Sequence, residues 1–477
     1  MKGCMRWGVA LLLLVMPMLA SAQESPLQAE LRREGERIAD ACGSFGFSAV
    51  PGCAYTLFTD HPFHIAAGSM PPQNGFGFGA AFVWSKNTKN WRWSWDVDAV
   101  GATSAAWRAG AYMKLVHTPH PATNPIKVII PGQNPNRPGT PEAAEPFTHP
   151  YTVFDFYAQS ISLDRLTFFG LGNDTLLTGK SLFGMSETVV GASATKPVFE
   201  WATIRRVNLA LFGEVNGRFV DIRGEPGQST PSIETLYTES TAPGLTNQPG
   251  FIQLGEGVRI SPAARNFELN YLAKFQQFFA PSDSRYSFLR WTVDLNHTYY
   301  LYGSELSATQ SPERLGPDSC AAHGENCPPI PRTRNLNGSI GLRLLLSESV
   351  KSVTSSVPFY FQPTLGGQDI DNALALGSYQ DYRFRAPDLL LLQETFEHSI
   401  WGPFGAKLEA DEGQVALTGG DFGLSNLKHS FSAGLTLRAG AFPMVSLMFA
   451  WGGPEGHHTI GSMNTSLIGG ASRPPLD

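Results

Sequence analysis

Charge is scarce in this chain. Only 16% of its 477 residues are Asp, Glu, Lys or Arg, where a soluble domain averages about 25%. The net charge of -6 is spread without a basic run, which excludes an electrostatic face for nucleic acid. Past residue 22 there is no long apolar run. A membrane helix needs about 20 apolar residues, so no helical span is expected. Signatures of catalysis are missing as well, since neither Gly-x-Ser-x-Gly nor His-Glu-x-x-His occurs. The close histidines His61 and His64, His117 and His120, and His457 and His458 come in twos, whereas a metal site needs three or four converging ligands. Leu177-Thr-Gly179-Lys180-Ser181 has the closing half of a phosphate loop, but Asp174 stands where its first Gly belongs. It reads as a polar loop. No catalytic residue, metal or cofactor is therefore assigned. A Ser/His/acid set assembled across strands stays open as a third functional reading, a membrane-embedded hydrolase.

Cysteine is also sparse, at five residues. Cys4 lies inside residues 1–22, which have the layout of an export signal. Lys2 and Arg6 make the basic start, Val9 to Leu14 the apolar centre, and Ala20-Ser-Ala22 the small-residue cleavage site. The remaining four fall into two local pairs, Cys42 with Cys53 and Cys320 with Cys327. An even count at close spacing in an exported chain favours disulfides. A zinc site would need both pairs to converge.

Glycine and aromatics are abundant, at 49 Gly and 11% aromatic. Alternation organises them. In Trp91-Arg-Trp-Ser-Trp-Asp-Val-Asp-Ala, Trp91, Trp93, Trp95, Val97 and Ala99 share one strand face, and Arg92, Ser94, Asp96 and Asp98 the other. The pattern returns at 205–221, 267–279, 285–303 and 429–440. A strand between lipid and a wet lumen requires this, and so does a strand of a soluble sandwich, so repetition decides. Sixteen strands are expected, at 78–86, 91–101, 105–117, 150–163, 181–197, 205–221, 250–261, 267–279, 285–303, 335–346, 354–363, 388–401, 404–416, 429–440, 442–453 and 457–469. The even number suits a bacterial barrel. The expected fold is all-β, a transmembrane antiparallel β-barrel over 77–469. A short periplasmic extension, 23–76, precedes it, with a helix in 24–41 marked by Leu27, Leu31 and Ile38. A tail, 470–477, follows. With both barrel ends periplasmic, connections 118–149, 304–334 and 364–387 fall outside, and 222–249 becomes an oddly long periplasmic turn.

Pro363 to Val415 holds the densest constellation. Gly366-Gly367 allows a turn with positive φ. Tyr379 follows, and then Arg383-Phe384-Arg385, in which the two charges would share a face in extended chain. A strand and the hairpin Asp411-x-Gly413 come next. This order resembles the BamA/TamA-like outer-membrane barrels, the bacterial surface antigen family. Gly377-Ser378 stands where that family has Arg-Gly, and Thr395-Phe396-Glu397 where it has Glu-Tyr-Arg.

The resemblance implies a barrel-only member without the family's periplasmic POTRA modules, since 23–76 is too small for one. It implies a bacterial outer-membrane location amid lipid and lipopolysaccharide, with unfolded outer-membrane or secreted proteins as clients. It also implies that the Gly-Gly/Arg-Phe-Arg loop folds into the lumen of a barrel that inserts or translocates proteins. The alternative is a passive channel or structural barrel. A buried guanidinium needs a partner. Either Arg383 or Arg385 is held inside by Asp411, Glu409 or Glu412, or both face water.

Overall fold

The computed structural model describes residue 36 and residues 63–117, 151–202, 206–264, 267–301, 338–401, 404–439, 442–463 and 473–476. The chain divides into 1–63 and 64–477, and the barrel belongs to the second unit. The expected export signal and all four paired cysteines lie outside the described residues, and of the expected 24–41 helix only Glu36 is described, in helical conformation.

In chain order the strands are β1 (Phe63–Ser69), β2 (Phe76–Asn87), β3 (Trp91–Ala102), β4 (Trp107–His117), β5 (Val153–Phe168), β6 (Ser181–Ala202), β7 (Arg206–Gly224), β8 (Phe251–Ala264) and β9 (Phe267–Phe279). Next come β10 (Phe288–Tyr300), β11 (Gly338–Val350), the two-residue β12 (Thr364–Leu365) and β13 (Phe384–Arg385), and β14 (Asp388–Trp401). The last four are β15 (Phe404–Ala416), β16 (Lys428–Ala439), β17 (Phe442–Trp451) and β18 (His458–Met463). All but β12 and β13 form one sixteen-stranded antiparallel sheet in sequence order, curled into a nearly closed barrel.

The two faces agree with the barrel reading that the repeated alternation favoured. Trp93, Trp95 and Val97 of β3 are exposed, while Asp96 and Asp98 between them are buried. Phe156, Leu211, Val215, Phe219, Trp291, Leu435, Leu447 and Phe449 continue the exposed set around the wall. A soluble sandwich would bury these side chains, because each Å² of apolar surface left in water costs about 25 cal/mol. An apolar outer belt around a polar interior is a membrane barrel.

Inside, polar side chains satisfy one another across strands. Arg218 on β7 donates to Glu187 on β6 at 2.8 Å and to Gln253 on β8 at 2.5 Å. Gln253 and Gln276 both donate to Glu214, at 3.0 and 2.9 Å. Tyr112 donates to Gln159 at 2.8 Å. In so dry a place each of these groups would be costly without a partner.

Two sequence expectations change, and their consequences cancel in number. Residues 63–69, expected in the irregular extension, are barrel strand β1. Consecutive small buried residues, Ala66 and Ala67, leave it no alternation to read. Residues 354–363, expected as a strand, instead hold a single 3-10 turn at Phe359–Phe361. Its three aromatics are all buried, so they do not alternate.

The count stays at sixteen, but the loops change sides. Connections 70–75, 103–106, 169–180, 225–250, 280–287, 351–387, 417–427 and 452–457 share one end of the barrel. Connections 118–152 and 301–337 join strands at the other end, where β1 starts and β18 finishes. The strand ends that flank the Pro-rich and Cys320/Cys327 segments are therefore opposite the 351–387 connection, not beside it. The awkward 222–249 turn joins the long loops instead.

That loop end is capped. Phe359 packs on Phe168 and Phe183, each at 5.2 Å between ring centroids. Phe361 packs on Phe251 at 5.0 Å and Phe278 at 5.4 Å. The 225–250 connection adds Ile233 and Ala242 to the same cluster. It is pinned by Glu239, which accepts from the backbone of Gly244 and Thr246 and from the Tyr286 hydroxyl. Burial pushes the Glu239 carboxyl up, but those hydrogen bonds outweigh it and hold the carboxyl below its ordinary range.

Candidate functional site

The connection 351–387 turns back on itself and runs along inward-facing side chains of the last strands. Its hairpin closes through β12 and β13, with Thr364 opposite Arg385 and Leu365 opposite Phe384. The turn depends on Gly366 (φ +104°) and Gly367 (φ +61°). A Cβ at Gly366 would stand 2.5 Å from the Arg383 Cβ and 2.7 Å from the Gln380 carbonyl oxygen. The backbone of these two glycines also binds the rest of the loop. The Gly366 N–H donates to Ala375 O at 3.2 Å, Gly367 N–H to Leu376 O at 3.2 Å, and Tyr382 N–H to Gly366 O at 3.0 Å. Gly366→Ala should therefore strain the backbone and collide with it, at a cost of about 2–3 kcal/mol. Thermal unfolding in detergent, read by the shift in electrophoretic mobility, checks this. An unchanged midpoint would contradict it.

Asp411 holds the loop, though not through an arginine. Its carboxylate accepts from the Leu376 N–H at 2.8 Å and from Gln393 Nε2 at 3.0 Å. Gln393 is its register partner on β14 and also donates to Leu374 O at 2.9 Å. The two side chains form a clamp on 374–376. Asp411-x-Gly413, expected as a hairpin, instead lies within β15, paired along its length with β14, and Gly413 lets the β12–β13 hairpin pack close, since a Cβ there would stand 3.0 Å from Leu365. Further along, Ser378 N–H donates to Ser430 Oγ on β16 at 2.9 Å, and Gly453 N–H donates to Ser378 Oγ at 3.0 Å. At Gly377, where the family has Arg, a Cβ would stand 3.0 Å from Ala450 on β17 and 3.1 Å from Ile460 on β18. No long side chain fits there.

The arginines part company. Tyr382 has φ +59° and is buried, so the chain is not extended at that point and Arg383 and Arg385 find different surroundings. Arg383 pairs with Glu455 of the β17–β18 connection. It also donates to Thr175 Oγ1 and Thr175 O, both at 2.6 Å. Its guanidinium lies 4.8 Å from the ring centroids of both Phe169 and Phe384, a doubly stacked cation. Arg385 donates to Phe359 O at 2.6 Å and accepts through its own carbonyl from Gly172 N–H at 2.8 Å. Tyr379 is buried against Phe384 at 5.1 Å. Glu409 pairs with Lys407 at 2.5 Å, and Glu412 is exposed. Neither meets Arg383, so the partner expected among Asp411, Glu409 and Glu412 is replaced by Glu455.

Glu455, Thr175, Phe169 and Gln393 went unread in the sequence. The first three sit in turns with no motif, and Gln393 looks like any polar strand residue. Lys180 of the rejected phosphate loop donates to Gln380 at 2.6 Å and so joins this loop. Among the described residues no group of His, Cys, Asp and Glu could hold a metal ion.

No protein-family model matches the chain, and no curated protein matches it in sequence. Solved structures to which it is similar include CdiB from Acinetobacter baumannii, at 9% identity and TM-score 0.46 over 84% of this chain and 58% of that one. CdiB from Escherichia coli gives 10% and 0.46 over 82% and 58%. BamA from Haemophilus ducreyi lacking POTRA domains 1–3 gives 9% and 0.43 over 84% and 70%. This chain thus spans 58% of the length of either CdiB chain. The likeness is one of barrel fold.

Proposed function

We propose that this chain is a non-enzymatic barrel of the bacterial outer membrane that inserts or translocates other polypeptides, with the 366–385 loop folded into its lumen as a brace. One observation carries the reading. The loop touches Asp411 on β15, Ser430 on β16, and Ala450 and Ile460 on β17 and β18. It therefore ties the last strands of the sheet together from within. β1 and β18 are the two ends of the sheet, and among the described residues they do not pair with each other. A sheet edge with an internal brace is a seam that can open sideways without the barrel falling apart, and an exposed strand edge is a template for an incoming strand. The aromatic cap at the loop end speaks against a steady open pore.

The test is insertion of an unfolded outer-membrane β-barrel client into lipid vesicles, with and without this protein refolded in them. Faster insertion that is lost on deleting 366–385 supports the reading. No acceleration overturns it. Single-channel conductance then identifies the alternative. A steady, large conductance unchanged by that deletion is a passive pore with an exposed loop. A small, unstable one that becomes large is a braced lumen.

A further inference from the structure

Residues 473–476 lie against the inner wall of the barrel. Arg473 pairs with Asp98 on β3, which is buried. The Pro475 carbonyl accepts from Arg218 on β7 at 2.8 Å. The Leu476 N–H donates to Asp371 in the loop at 3.2 Å, and its side chain is buried in the aromatic cap cluster. We propose that this stretch of wall is a peptide-binding site for an extended segment carrying arginine, then proline, then an apolar residue, and that residues 473–476 fill it as a displaceable plug.

The chemistry of the segment suits a dry lumen. Pro474 and Pro475 have no N–H to leave unsatisfied, and their rings fix φ near the extended polyproline value. A segment of this kind gives up little conformational entropy on binding. It offers one cation, one carbonyl and one apolar side chain, and the wall meets each of them.

Asp98 and Arg218 each keep a partner of opposite charge when the segment leaves. Asp98 retains Arg108 on β4, at 3.5 Å. Arg218 retains Glu187 at 2.8 Å and Gln253 at 2.5 Å. Neither charge is stranded, whereas removing the sole partner of a buried ion would be strongly unfavourable. Arg473 simply returns to water. A purely structural strut would more often have partners that depend on it. Here the dependence runs one way, as it does between a ligand and a preformed site.

The experiment uses the refolded protein in detergent and a fluorescently labelled peptide, Ser-Arg-Pro-Pro-Leu-Asp, the sequence of residues 472–477. Binding is read by fluorescence anisotropy. The 473–477 deletion should bind the peptide saturably, and the full chain at least roughly tenfold more weakly, because its own segment competes. A peptide with Glu for Arg should not bind the deletion variant. Asp98→Asn in the deletion background should weaken binding roughly tenfold, the loss expected from one charge-assisted hydrogen bond. Heat-modifiable mobility confirms that each variant is a folded barrel. Should Asp98→Asn fail that control, the Glu peptide carries the charge test alone. Equal binding to full chain and deletion, equal binding of the Arg and Glu peptides, or no saturable binding to the deletion would each overturn the proposal.

Discussion

Arg383→Ala should release the loop and cost about 3–5 kcal/mol, the range for removing one member of a buried ion pair. Both side chains of the pair are about 5% exposed, so water screens it little. The substitution leaves the Glu455 carboxylate buried without its guanidinium. It also removes two hydrogen bonds to Thr175 and two ring contacts. Protease cleavage within 366–385 and the thermal midpoint in detergent are the readouts. Cleavage should become fast and the midpoint should fall. Arg383→Lys should recover less than half of the loss, because a point charge on a flexible stem cannot reach Glu455 and Thr175 together or stack as a plane does. If Arg383→Ala leaves loop protection intact, the pair does not brace the loop, and the proposed role for the seam loses its support.

That interaction also marks the limit of what the sequence displays. The wall was legible because a membrane barrel imposes a local rule. On β3 every second side chain meets lipid and every other meets the lumen, so five residues predict the next five. The Gly366-Gly367 turn was legible for a similar reason, since a positive φ at two adjacent positions asks for glycine. β1 offered no such rule, with Ala66 and Ala67 adjacent and both buried. The run Phe359-Tyr-Phe361 offered a false one, because aromatics filling a cap have the composition of a strand.

The Arg383 partner was illegible for a different reason. Glu455 is 72 residues away, on a turn whose place beside the loop follows only from closing the barrel. The positive φ at Tyr382 compounds this. Nothing in Tyr-Arg-Phe-Arg announces that the backbone reverses there, and the alternation rule then sends the two arginines the same way. Local rules end where loops fold over the sheet, and the candidate site lies beyond that boundary.

Arg218→Ala should cost about 3–5 kcal/mol as well, on the same reasoning, whereas the double change Glu187→Gln with Arg218→Met should cost far less. Arg218 is fully buried, and Glu187 is 1% exposed. The single change takes the guanidinium from a carboxylate that water cannot reach. The double change removes both charges together and substitutes groups of similar volume, which is often close to neutral. Unfolding midpoints of Glu187→Gln, Arg218→Met and the double give the coupling energy. The cycle has a second use. Arg218 also donates to the Pro475 carbonyl. If the double variant is as stable as the parent yet no longer holds residues 473–476, the wall's charges are there for recognition. If it is as unstable as Arg218→Ala, the Glu187–Arg218 pair is part of the frame, and the segment merely rests on it.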